Sequence, residues 1–294
     1  MIKPMLLSQQ EAPFDSEDYL FELKLDGIRC IAHLSPDAVD LRNKENFCLT
    51  PLFPELKTIH KQTKSPCILD GELVLMENGV PGFEKLQRRA MMTDPFKIQL
   101  AANALPVSYV AFDILYQDGR ELYSLPLVER KRLLAQSVIE NEGLAVSRTI
   151  DGAGTALFEQ AKALNLEGIV AKRKDSLYKP GKRTKDWIKI KNMIDEDFYA
   201  CGFIQKERMT SLILGSKVNG QLTYQGHVTL GVPGREVREM ATNPHCPFAE
   251  LPPGNDDAVW FDYMPLCTVA YMERTLKGSM RQPVFKGFRL QALS

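Results

Sequence analysis

The sequence predicts an α+β protein of two domains that divide near residue 192. Strand and helix patterns alternate along residues 1–192, whereas short strand patterns dominate from Phe198 onward. The acidic run Asp195-Glu196-Asp197 lies between the two regions. Because 294 residues suffice for two domains with their own cores, we expect residues 1–192 to form a mixed domain and residues 193–294 to form a small β-barrel.

Six segments of the first domain have the composition of strands, and each is bounded by turn residues. They cover residues 19–25, 29–34, 67–76, 107–115, 168–172 and 187–191. Three further segments carry apolar residues at three-to-four spacing, which predicts helices. These helices cover residues 82–92, 127–140 and 154–164.

The second domain has four predicted strands and one short helix. The strands cover residues 198–204, 211–218, 221–230 and 266–272, and the helix covers residues 235–241. Asn219-Gly220 lies between two of these strands, and this dipeptide is a strong hairpin signal. Several short strands separated by turn residues indicate a small barrel.

The composition, with 44% hydrophobic and 25% charged residues, predicts an ordinary globular protein. No apolar run approaches membrane-spanning length, and the first five residues lack the build of a signal peptide. The six cysteines form no CxxC pair, which indicates reduced thiols and argues against disulfides or structural zinc. We therefore expect a cytoplasmic protein with no membrane partner.

A single lysine, Lys24, lies in a hydrophobic strand pattern that ends at Asp26-Gly27. A lysine attacks only as the neutral amine, so a nucleophilic lysine needs burial or neighbouring cations that lower its pKa from about 10.4. The flanking leucines offer such burial. The alternative is a hairpin turn at Asp26-Gly27 with the lysine facing solvent, and these residues alone favour the hairpin.

Positive charge is concentrated between Glu167 and Lys191, although the net charge of the whole chain is zero. This segment contains nine basic residues and only three acidic ones, so it is suited to follow a phosphate backbone. A solvated charged surface is the alternative, and the charge count alone favours that alternative.

Two carboxylates flank a glycine in Asp70-Gly71-Glu72, directly after the apolar run 67–69. A turn at the glycine would present both carboxylates at the edge of a strand, in an arrangement suited to a magnesium ion or a ribose hydroxyl. A plain surface turn is the alternative. Glu167-Gly168 repeats the carboxylate pattern at the start of another predicted strand.

An aromatic residue and two lysines are further candidates. Phe112 precedes Asp113 in a predicted strand; it is either a core aromatic or a platform on which a base stacks, and such stacking contributes roughly 1–3 kcal/mol. Lys189 and Lys191 alternate along the last predicted strand of the first domain, so both project from the same face. Two ammonium groups on one face are suited to hold a triphosphate.

The order of these motifs resembles that of the covalent nucleotidyltransferases, which include ATP-dependent DNA ligases, RNA ligases and mRNA capping enzymes. The closer resemblance is to the ligase module of bacterial end-joining DNA ligases, and it covers nearly the whole chain. Segments 13–16, 175–183 and 281–289 are also similar to segments of that group. The ordered motifs are Lys24-Leu25-Asp26-Gly27-Ile28-Arg29, Asp70-Gly71-Glu72-Leu73, Phe112-Asp113, Glu167-Gly168-Ile169-Val170 and Lys189-Ile190-Lys191.

The resemblance implies an adenylation (nucleotidyltransferase) domain of antiparallel sheets with flanking helices over residues 1–192, followed by an all-β OB-fold domain over residues 193–294. It implies an ATP-dependent DNA ligase that seals nicks in duplex DNA, and also double-strand breaks, in DNA repair. The reaction proceeds through a lysyl-AMP and a DNA-adenylate intermediate. The alternatives are an RNA ligase with the same lysyl-AMP chemistry and a catalytically inactive nucleic-acid-binding module.

By the same resemblance, Lys24 is the nucleophile that carries AMP, and Lys189 and Lys191 grip the α-phosphate and favour the neutral form of Lys24. The residues assigned to ATP are Glu22 at the adenine edge, Phe112 on the base, Glu72 at the ribose, Arg29 at the nucleotide or nick phosphates, and Lys172. The remaining assignments are Glu167 and Glu72 to Mg²⁺, with Mn²⁺ as an alternative, and Arg281 and Arg289 to pyrophosphate as the leaving group.

The expected contact with nicked duplex DNA departs from the family at one point. Ligases of this group carry a serine-arginine pair shortly after the lysine motif, and Lys44 falls at the arginine position. A one-residue change in loop length would put Arg42 there instead. Lys182 and Arg183 are further expected DNA contacts. We expect a monomer, with a Ku-like end-binding protein as an additional partner.

Overall fold

The computed structural model describes residues 2–77, 79–275 and 278–289. Its backbone divides into two compact units, Met1–Asn192 and Met193–Ser294, referred to below as unit 1 and unit 2. Several sheets and a few helices make up the described residues, which confirms the predicted α+β class. Among these residues, no helix has the length and apolar character that crossing a membrane requires.

Unit 1 consists of strands β1 to β13 and helices α1 to α4, with three short 3-10 helices after β4. The strands are β1 (Leu6–Gln10), β2 (Ser16–Leu23), β3 (Ile28–Leu34), β4 (Val39–Asn43), β5 (Cys67–Val74), β6 (Met76–Glu77), β7 (Val80–Pro81), β8 (Ser108–Gln117), β9 (Arg120–Glu121), β10 (Leu144–Val146), β11 (Ile150–Gly152), β12 (Gly168–Arg173) and β13 (Arg183–Lys191). The helices are α1 (Phe83–Ala90), α2 (Pro95–Ala104), α3 (Leu127–Ser137) and α4 (Gly154–Ala163), and the 3-10 helices are Thr50–Leu52, Pro54–Leu56 and Ile59–Gln62.

Two sheets dominate unit 1. One has the strand order β1-β13-β12-β2-β11, and the other has the order β10-β8-β5-β3-β4, with β9 beside β8. Strands β1 and β13 pair in parallel, as do β10 and β8, and the remaining pairs in these two sheets are antiparallel. Antiparallel pairing within both sheets agrees with the expectation for the first domain.

The segment at Asp26-Gly27 does not form a hairpin. Strand β2 belongs to the five-stranded sheet and β3 to the six-stranded sheet, so the chain passes from one sheet to the other at this point. Gly27 is needed because the β5 backbone is very close: a Cβ atom at this position would lie 2.1 Å from the carbonyl oxygen of Leu73. The hairpin interpretation was therefore wrong, because the glycine provides a close approach between strands and not a tight turn.

The turn expected at Asp70-Gly71-Glu72 is also absent. All three residues lie within the continuous strand β5, which pairs with β3 on one side and with β8 on the other. A Cβ atom at Gly71 would lie 2.5 Å from the carbonyl oxygen of Val110, so this glycine too allows a close approach of backbones. Successive side chains alternate across a strand, so Asp70 and Glu72 project from the same face.

The three predicted helices of unit 1 are present as α1, α3 and α4, each one to three residues shorter at its ends than predicted. Helix α2 and strands β1 and β4 were not predicted. The start of α2 nevertheless has a sequence signal, since the Asp94 carboxylate accepts hydrogen bonds from the backbone N–H groups of Phe96 and Lys97, and Pro95 follows it. This is an ordinary N-cap followed by proline in the first turn.

Three hydrophobic clusters hold unit 1 together. The largest lies on the six-stranded sheet beneath α1 and α3 and includes Leu69 and Tyr109. A second joins α4 to the five-stranded sheet through Phe21 and Phe158. The third contains side chains of both sheets, and it therefore packs one sheet against the other beside the candidate site. Its buried members are Met5, Leu20, Ile31, Phe112, Leu115, Leu127, Tyr178 and Trp187.

The described residues of unit 2 form an antiparallel β structure with one short helix, which is consistent with the predicted OB-fold. Strands β14, β15 and β16 form a meander, and β18 and β19 both pair with β14. Its elements are β14 (Ile194–Lys206), β15 (Met209–Val218), β16 (Gln221–Val228), α5 (Gly234–Arg238), β17 (Thr242–Asn243), β18 (Val259–Phe261), β19 (Leu266–Tyr271) and β20 (Val284–Phe288).

The predicted hairpin at Asn219-Gly220 is confirmed. Val218 pairs with Gln221 across the turn, and both turn residues have positive φ angles, 51° for Asn219 and 83° for Gly220. Two consecutive positive φ angles are the mark of a type I′ turn, whose twist matches that of the flanking strands. The Asn-Gly dipeptide thus predicts the hairpin turn that the structure has.

Candidate active site

A cavity of about 330 Å³ opens in unit 1, at the place where side chains of its two sheets meet. Most of the residues predicted to bind the nucleotide line it, together with apolar residues of the N-terminal segment and of β12 and β13. The lining residues with a predicted role are Glu22, Lys24, Arg29, Lys44, Glu72, Phe112, Lys172, Arg183 and Lys189. The cavity therefore unites residues that lie far apart in the sequence.

Lys24 follows the last residue of β2 and faces a carboxylate. Its backbone N–H donates to the carbonyl of Gly168 at 2.9 Å, and its Nζ lies 2.6 Å from Glu167 Oε2. The side chain of Lys24 is 18% exposed and that of Glu167 is 5% exposed. The structure thus places the predicted nucleophile at the cavity wall, in contact with the predicted metal ligand.

Two further lysines come from β13. Lys189 pairs in register with Val170, and Lys191 pairs with Gly168. Lys189 lines the cavity, and Lys191 Nζ is 4.0 Å from Glu167 Oε1. Burial and the positive charges of Lys24 and Arg183 lower the pKa of Lys189. A concentration of cations therefore lies next to Lys24, as the alternation along this strand predicts.

At another part of the cavity wall, Glu22 is surrounded by donors. Lys172 Nζ lies 3.0 Å from Glu22 Oε2 and the Ser147 hydroxyl donates to the same oxygen at 2.8 Å, while Lys131 Nζ lies 2.5 Å from Oε1. Burial disfavours the charged carboxylate, but the charges of the two lysines outweigh burial and lower the pKa of Glu22. Glu22 is therefore an ionised acceptor at neutral pH.

Lys172 is buried among aromatic rings. Its Nζ lies 4.2 Å from the ring centre of Phe112 and 4.4 Å from that of Trp187. Burial lowers the pKa of Lys172 to about 8, although the carboxylate of Glu22 opposes this shift. Phe112 is itself a buried core residue that also lines the cavity. The two interpretations, a core aromatic residue and a platform for base stacking, are therefore compatible.

Arg29 is fixed by a network that reaches beyond the cavity. Its Nε and Nη2 donate to the two oxygens of Asp70, each at 2.7 Å, and its guanidinium lies 4.5 Å from the ring centre of Phe112. The Tyr178 hydroxyl donates to Asp70 Oδ2 at 2.6 Å and accepts from the backbone N–H of Met5. Asp70 thus anchors an arginine, whereas the sequence pattern had suggested a metal or ribose ligand.

Glu72 lies two residues further along β5. Burial raises the pKa of Glu72 to about 7, although the positive charges of Arg29 and Lys24 oppose the shift, and the nearby Glu167 carboxylate adds to it. The described residues contain no cluster of three potential metal ligands. Two carboxylates beside Lys24 nevertheless fit Mg²⁺, which is commonly held by one or two carboxylates and completes its coordination with water and substrate phosphates.

Of the four expected DNA contacts, two line the cavity. Arg42 is bound to the carboxylate of Asp40 at 2.9 Å, whereas Lys44 lines the cavity. Arg183 lines it as well and donates to the carbonyl of Leu7. Lys182 is exposed.

Segment 281–289, referred to below as the terminal motif, contains two arginines that lie in unit 2, where each pairs with a carboxylate. Arg281 Nη1 donates to Glu273 at 2.9 Å, and Arg289 Nε donates to Asp197 Oδ1 at 3.2 Å. Thr268 also donates to Asp197. Both carboxylates belong to unit 2 itself, so these contacts are internal to it.

Sequence reasoning missed three polar residues that hold the site: Lys131, Ser147 and Tyr178. Tyr178 lies in the segment 175–183, whose motif had been noticed without a role for the tyrosine. Lys131 and Ser147 carry no local signal, because a lysine on a helix and a serine after a short strand are ordinary surface patterns. Only their contacts with Glu22 distinguish them.

A half-buried lysine in contact with a carboxylate, cations on the neighbouring strand and a cavity of about 330 Å³ beside them are the arrangement expected of the covalent nucleotidyltransferases. A family model described as "ATP dependent DNA ligase domain" matches residues 4–191, and one described as "ATP dependent DNA ligase C terminal region" matches residues 205–291. The chain belongs to the family of ATP-dependent DNA ligases.

Relatives and solved structures agree with this family. The chain is 29% identical over 290 residues to the SPbeta prophage-derived DNA ligase-like protein LigB of Bacillus subtilis, covering 98% of this chain and 99% of LigB. It is 32% identical over 302 residues to the multifunctional non-homologous end joining protein LigD of Mycolicibacterium smegmatis, covering 97% of this chain but only 38% of that protein.

Among solved structures, the ligase domain of M. tuberculosis LigD is 27% identical, with a TM-score of 0.59 and coverage of 98% of this chain and 95% of that domain. A mycobacterial DNA ligase D complexed with ATP and MES is also 27% identical, with a TM-score of 0.60 and the same coverage. A Lig E DNA ligase, 18% identical with a TM-score of 0.68 and coverage of 98% and 100%, shares the fold.

Proposed function

We propose that this chain seals nicks in duplex DNA through a lysyl-AMP and a DNA-adenylate intermediate, and that Lys24 carries the AMP. Residues 1–192 act as the adenylation domain and residues 193–294 as the OB-fold domain. The observation that carries the proposal is the contact of Lys24 Nζ with Glu167 at 2.6 Å, on the wall of a cavity that also presents Lys189, Glu22 and Phe112.

ATP binds with its adenine towards Glu22 and Phe112 and its triphosphate towards Lys24 and Lys189. Glu22 accepts a hydrogen bond from the base, and Phe112 provides a face on which the base stacks. Glu72 holds the ribose, Arg29 contacts the nucleotide or nick phosphates, and Lys172 contacts the nucleotide. The distribution of charge in the cavity supports this orientation, because the cations next to Lys24 suit phosphates.

In the first step the neutral Nζ of Lys24 attacks the α-phosphorus, an N–P bond forms, and the P–O bond to pyrophosphate breaks. Before the attack the ammonium group of Lys24 gives up its ion pair with Glu167 and releases one proton to solvent, because a protonated amine has no lone pair. A second proton leaves the nitrogen for solvent as the N–P bond forms. Fixed positive charge from Lys189 and Lys191 stabilises the developing negative charge on the phosphate oxygens. Arg281 and Arg289 orient the departing pyrophosphate.

In the later steps the AMP leaves Lys24 for a 5′-phosphate of DNA, so that the N–P bond breaks and a P–O–P linkage forms. The neighbouring 3′-hydroxyl then attacks that 5′-phosphate, a phosphodiester bond forms and AMP departs. Lys44, Arg183 and Lys182 contact the DNA around the nick. The positions of these residues at or near the cavity support their assignment as DNA contacts. Arg42 is the alternative to Lys44 at the arginine position of the family.

Glu167 and Glu72 would hold a divalent cation, Mg²⁺ or in its place Mn²⁺. Such an ion, when bound, neutralises phosphate charge and the mutual repulsion of the two carboxylates. Their shared position next to Lys24 supports this assignment.

The same protein acts in repair of double-strand breaks, together with an end-binding protein of the Ku type. It acts as a monomer, and its location is the cytoplasm. Support for end joining comes from the names of the LigD relatives, of which this chain spans about 38%. Six cysteines without disulfides are consistent with a reducing compartment. The family match does not favour an RNA ligase, the second enzyme considered.

The test is self-adenylylation with Mg²⁺ and ATP labelled at the α-phosphate, after removal of any bound AMP with pyrophosphate. The wild-type protein and a Lys57→Ala control, altered at an exposed lysine of unit 1, should both acquire the label, and Lys24→Ala should not. Nicked duplexes with DNA or RNA strands then test the substrate. Absence of a Lys24-dependent adduct would contradict the proposal, and sealing restricted to RNA ends would replace DNA by RNA as the substrate.

A further inference from the structure

The carboxylate of Glu22 is held from two sides. Lys172 and Ser147 donate to Oε2, and Lys172 also belongs to the wall of the cavity. Lys131 approaches Oε1 from α3 and is not a lining residue. The side chains of Glu22 and Lys131 are 3% and 11% exposed, respectively, so this ion pair is largely shielded from water.

The two oxygens of Glu22 have different partners. Oε2 has two hydrogen bonds, one from Lys172 and one from Ser147. Oε1 has an ion pair with Lys131 but no hydrogen bond of good geometry from any described residue, although the atom is buried. A buried acceptor without a hydrogen bond is costly, so the positive charge of Lys131, 2.5 Å away, compensates the buried Oε1.

The chemistry around Glu22 also decides which kind of ligand group fits. Every described group that contacts its carboxylate is a donor: two ammonium groups and one hydroxyl. An ionised carboxylate can only accept, so it favours the amino group at position 6 of adenine and disfavours the carbonyl at position 6 of hypoxanthine or guanine. A protonated carboxyl group would instead have a proton to donate to that carbonyl.

We propose that Lys131 is a positioning residue that keeps Glu22 an ionised acceptor and thereby sets the preference of the cavity for a 6-aminopurine over a 6-oxopurine nucleotide. This inference rests on the proposed role of Glu22 at the base. Lys131 acts from behind the carboxylate, so its effect on the base is exerted only through Glu22. Lys172 does not replace Lys131, because it binds the other oxygen of Glu22.

The test is a competition between ATP and ITP for formation of the covalent adduct. Protein freed of nucleotide by pyrophosphate is mixed with Mg²⁺ and both nucleotides, and intact mass spectrometry gives the ratio of AMP to IMP adducts on the same sample. Because both adducts form on the same folded molecules, the ratio does not depend on the yield of folded protein. Lys131→Met should lower the ratio roughly tenfold, which corresponds to the loss of one charge-assisted hydrogen bond.

Two variants serve as controls. Lys131→Arg keeps the positive charge and should keep the ratio within about threefold of wild type, because the retained charge still holds Glu22. Arg132→Met changes the next residue of the same helix, which is exposed and pairs with Glu129, and it should leave the ratio unchanged. If Lys131→Met gives no folded protein, Lys131→Gln replaces it with the same expected loss of preference.

The outcomes separate this inference from the role of Glu22 and from the proposed function. An unchanged ratio in Lys131→Met or Lys131→Gln overturns the role of Lys131, provided that Glu22→Gln lowers the ratio. An unchanged ratio in Glu22→Gln overturns the assignment of Glu22 to the base, and with it this inference. No adduct of either nucleotide on the wild-type protein would contradict the proposed function itself.

Discussion

Individual carboxylates of unit 1 have different roles because their neighbours differ. Asp70 binds both a guanidinium and a tyrosine hydroxyl. Glu22 is paired with two lysines, which lower its pKa. Glu72 is half-buried, and burial raises its pKa to about 7 although the charges of Arg29 and Lys24 oppose the shift. The same side-chain chemistry thus provides an anchor, an ionised acceptor and a group that titrates near neutral pH.

The titration of Glu72 predicts a pH dependence of stability. Its pKa is raised from 4.5 to about 7 in the folded protein, so the native state binds more protons than the unfolded state between these pH values. Stability contributed by the neutral carboxyl group is therefore lost as pH rises from about 4.5 to about 7. Glu72→Gln should remove this loss and raise the free energy of unfolding at pH 8 by on the order of 2 kcal/mol.

Urea unfolding of Glu72→Gln and wild type at pH 5 and pH 8 measures this effect. The increase in the free energy of unfolding of Glu72→Gln over wild type should be small at pH 5 and large at pH 8. Glu159→Gln, at an exposed position of α4, provides the control and should change neither value. Equal free energies of unfolding for Glu72→Gln and wild type at pH 8 would show that ionisation of Glu72 does not destabilise the folded protein.

At the scale of an element, α3 connects the core of unit 1 to the candidate site through two consecutive residues. Arg130 Nε and Nη2 donate to the two oxygens of Asp113, each at 2.9 Å, and both side chains are completely buried. Arg130 also donates to the carbonyls of Leu125 and Ser176. The next residue, Lys131, pairs with Glu22. The position of this helix is therefore fixed by polar contacts as well as by Leu127 and Leu134.

Removal of Arg130 should destabilise unit 1 strongly. Arg130→Met leaves the buried charge of Asp113 without its partner, and breaking a buried ion pair in this way costs about 3–5 kcal/mol. The free energy of unfolding from denaturant titration checks this value. Arg132→Met, whose arginine is exposed on the same helix, should cost less than about 1 kcal/mol. A similar loss in both variants would indicate that α3 contributes through helix propensity and not through the buried pair.

The whole molecule divides its chemistry between two units. The proposed nucleophile Lys24 and the cavity belong to unit 1, whereas the arginines of the terminal motif belong to unit 2, where Arg289 pairs with Asp197 and Arg281 with Glu273. The side chain of Arg289 is 58% exposed, and an exposed pair of this kind contributes little stability. Arg289 can therefore leave Asp197 for a phosphate at low cost.

This division predicts that the steps of ligation can be separated by mutation. Arg289→Ala should lose self-adenylylation by about a hundredfold, because the pyrophosphate is no longer oriented, yet it should seal a nick whose 5′ end already carries AMP at close to the wild-type rate. Arg235→Ala, at an exposed arginine of unit 2 that pairs with Glu239, should affect neither reaction. Equal losses in both assays would contradict a role restricted to pyrophosphate.

Much of the fold was predictable from local patterns. The strands around Lys24, Phe112 and Lys189 have strong periodicity, and the Asn219-Gly220 hairpin has a specific turn signal. Helix α2 was missed although Asp94-Pro95 marks its start. The errors at Gly27 and Gly71 share one cause: a glycine needed for close approach of two backbones looks the same in sequence as a glycine needed for a turn.

The sequence by itself determined the class of chemistry, because the ordered motifs from Lys24 to Lys191 predict a nucleophile, its neighbouring carboxylates and phosphate-binding lysines. Only the tertiary structure decided how those groups are held. It assigned Asp70 to Arg29, brought Lys44 to the cavity and placed Lys131 and Ser147 on Glu22. Such contacts join residues far apart in the chain, and burial sets their charge states, so neither is encoded in a local pattern.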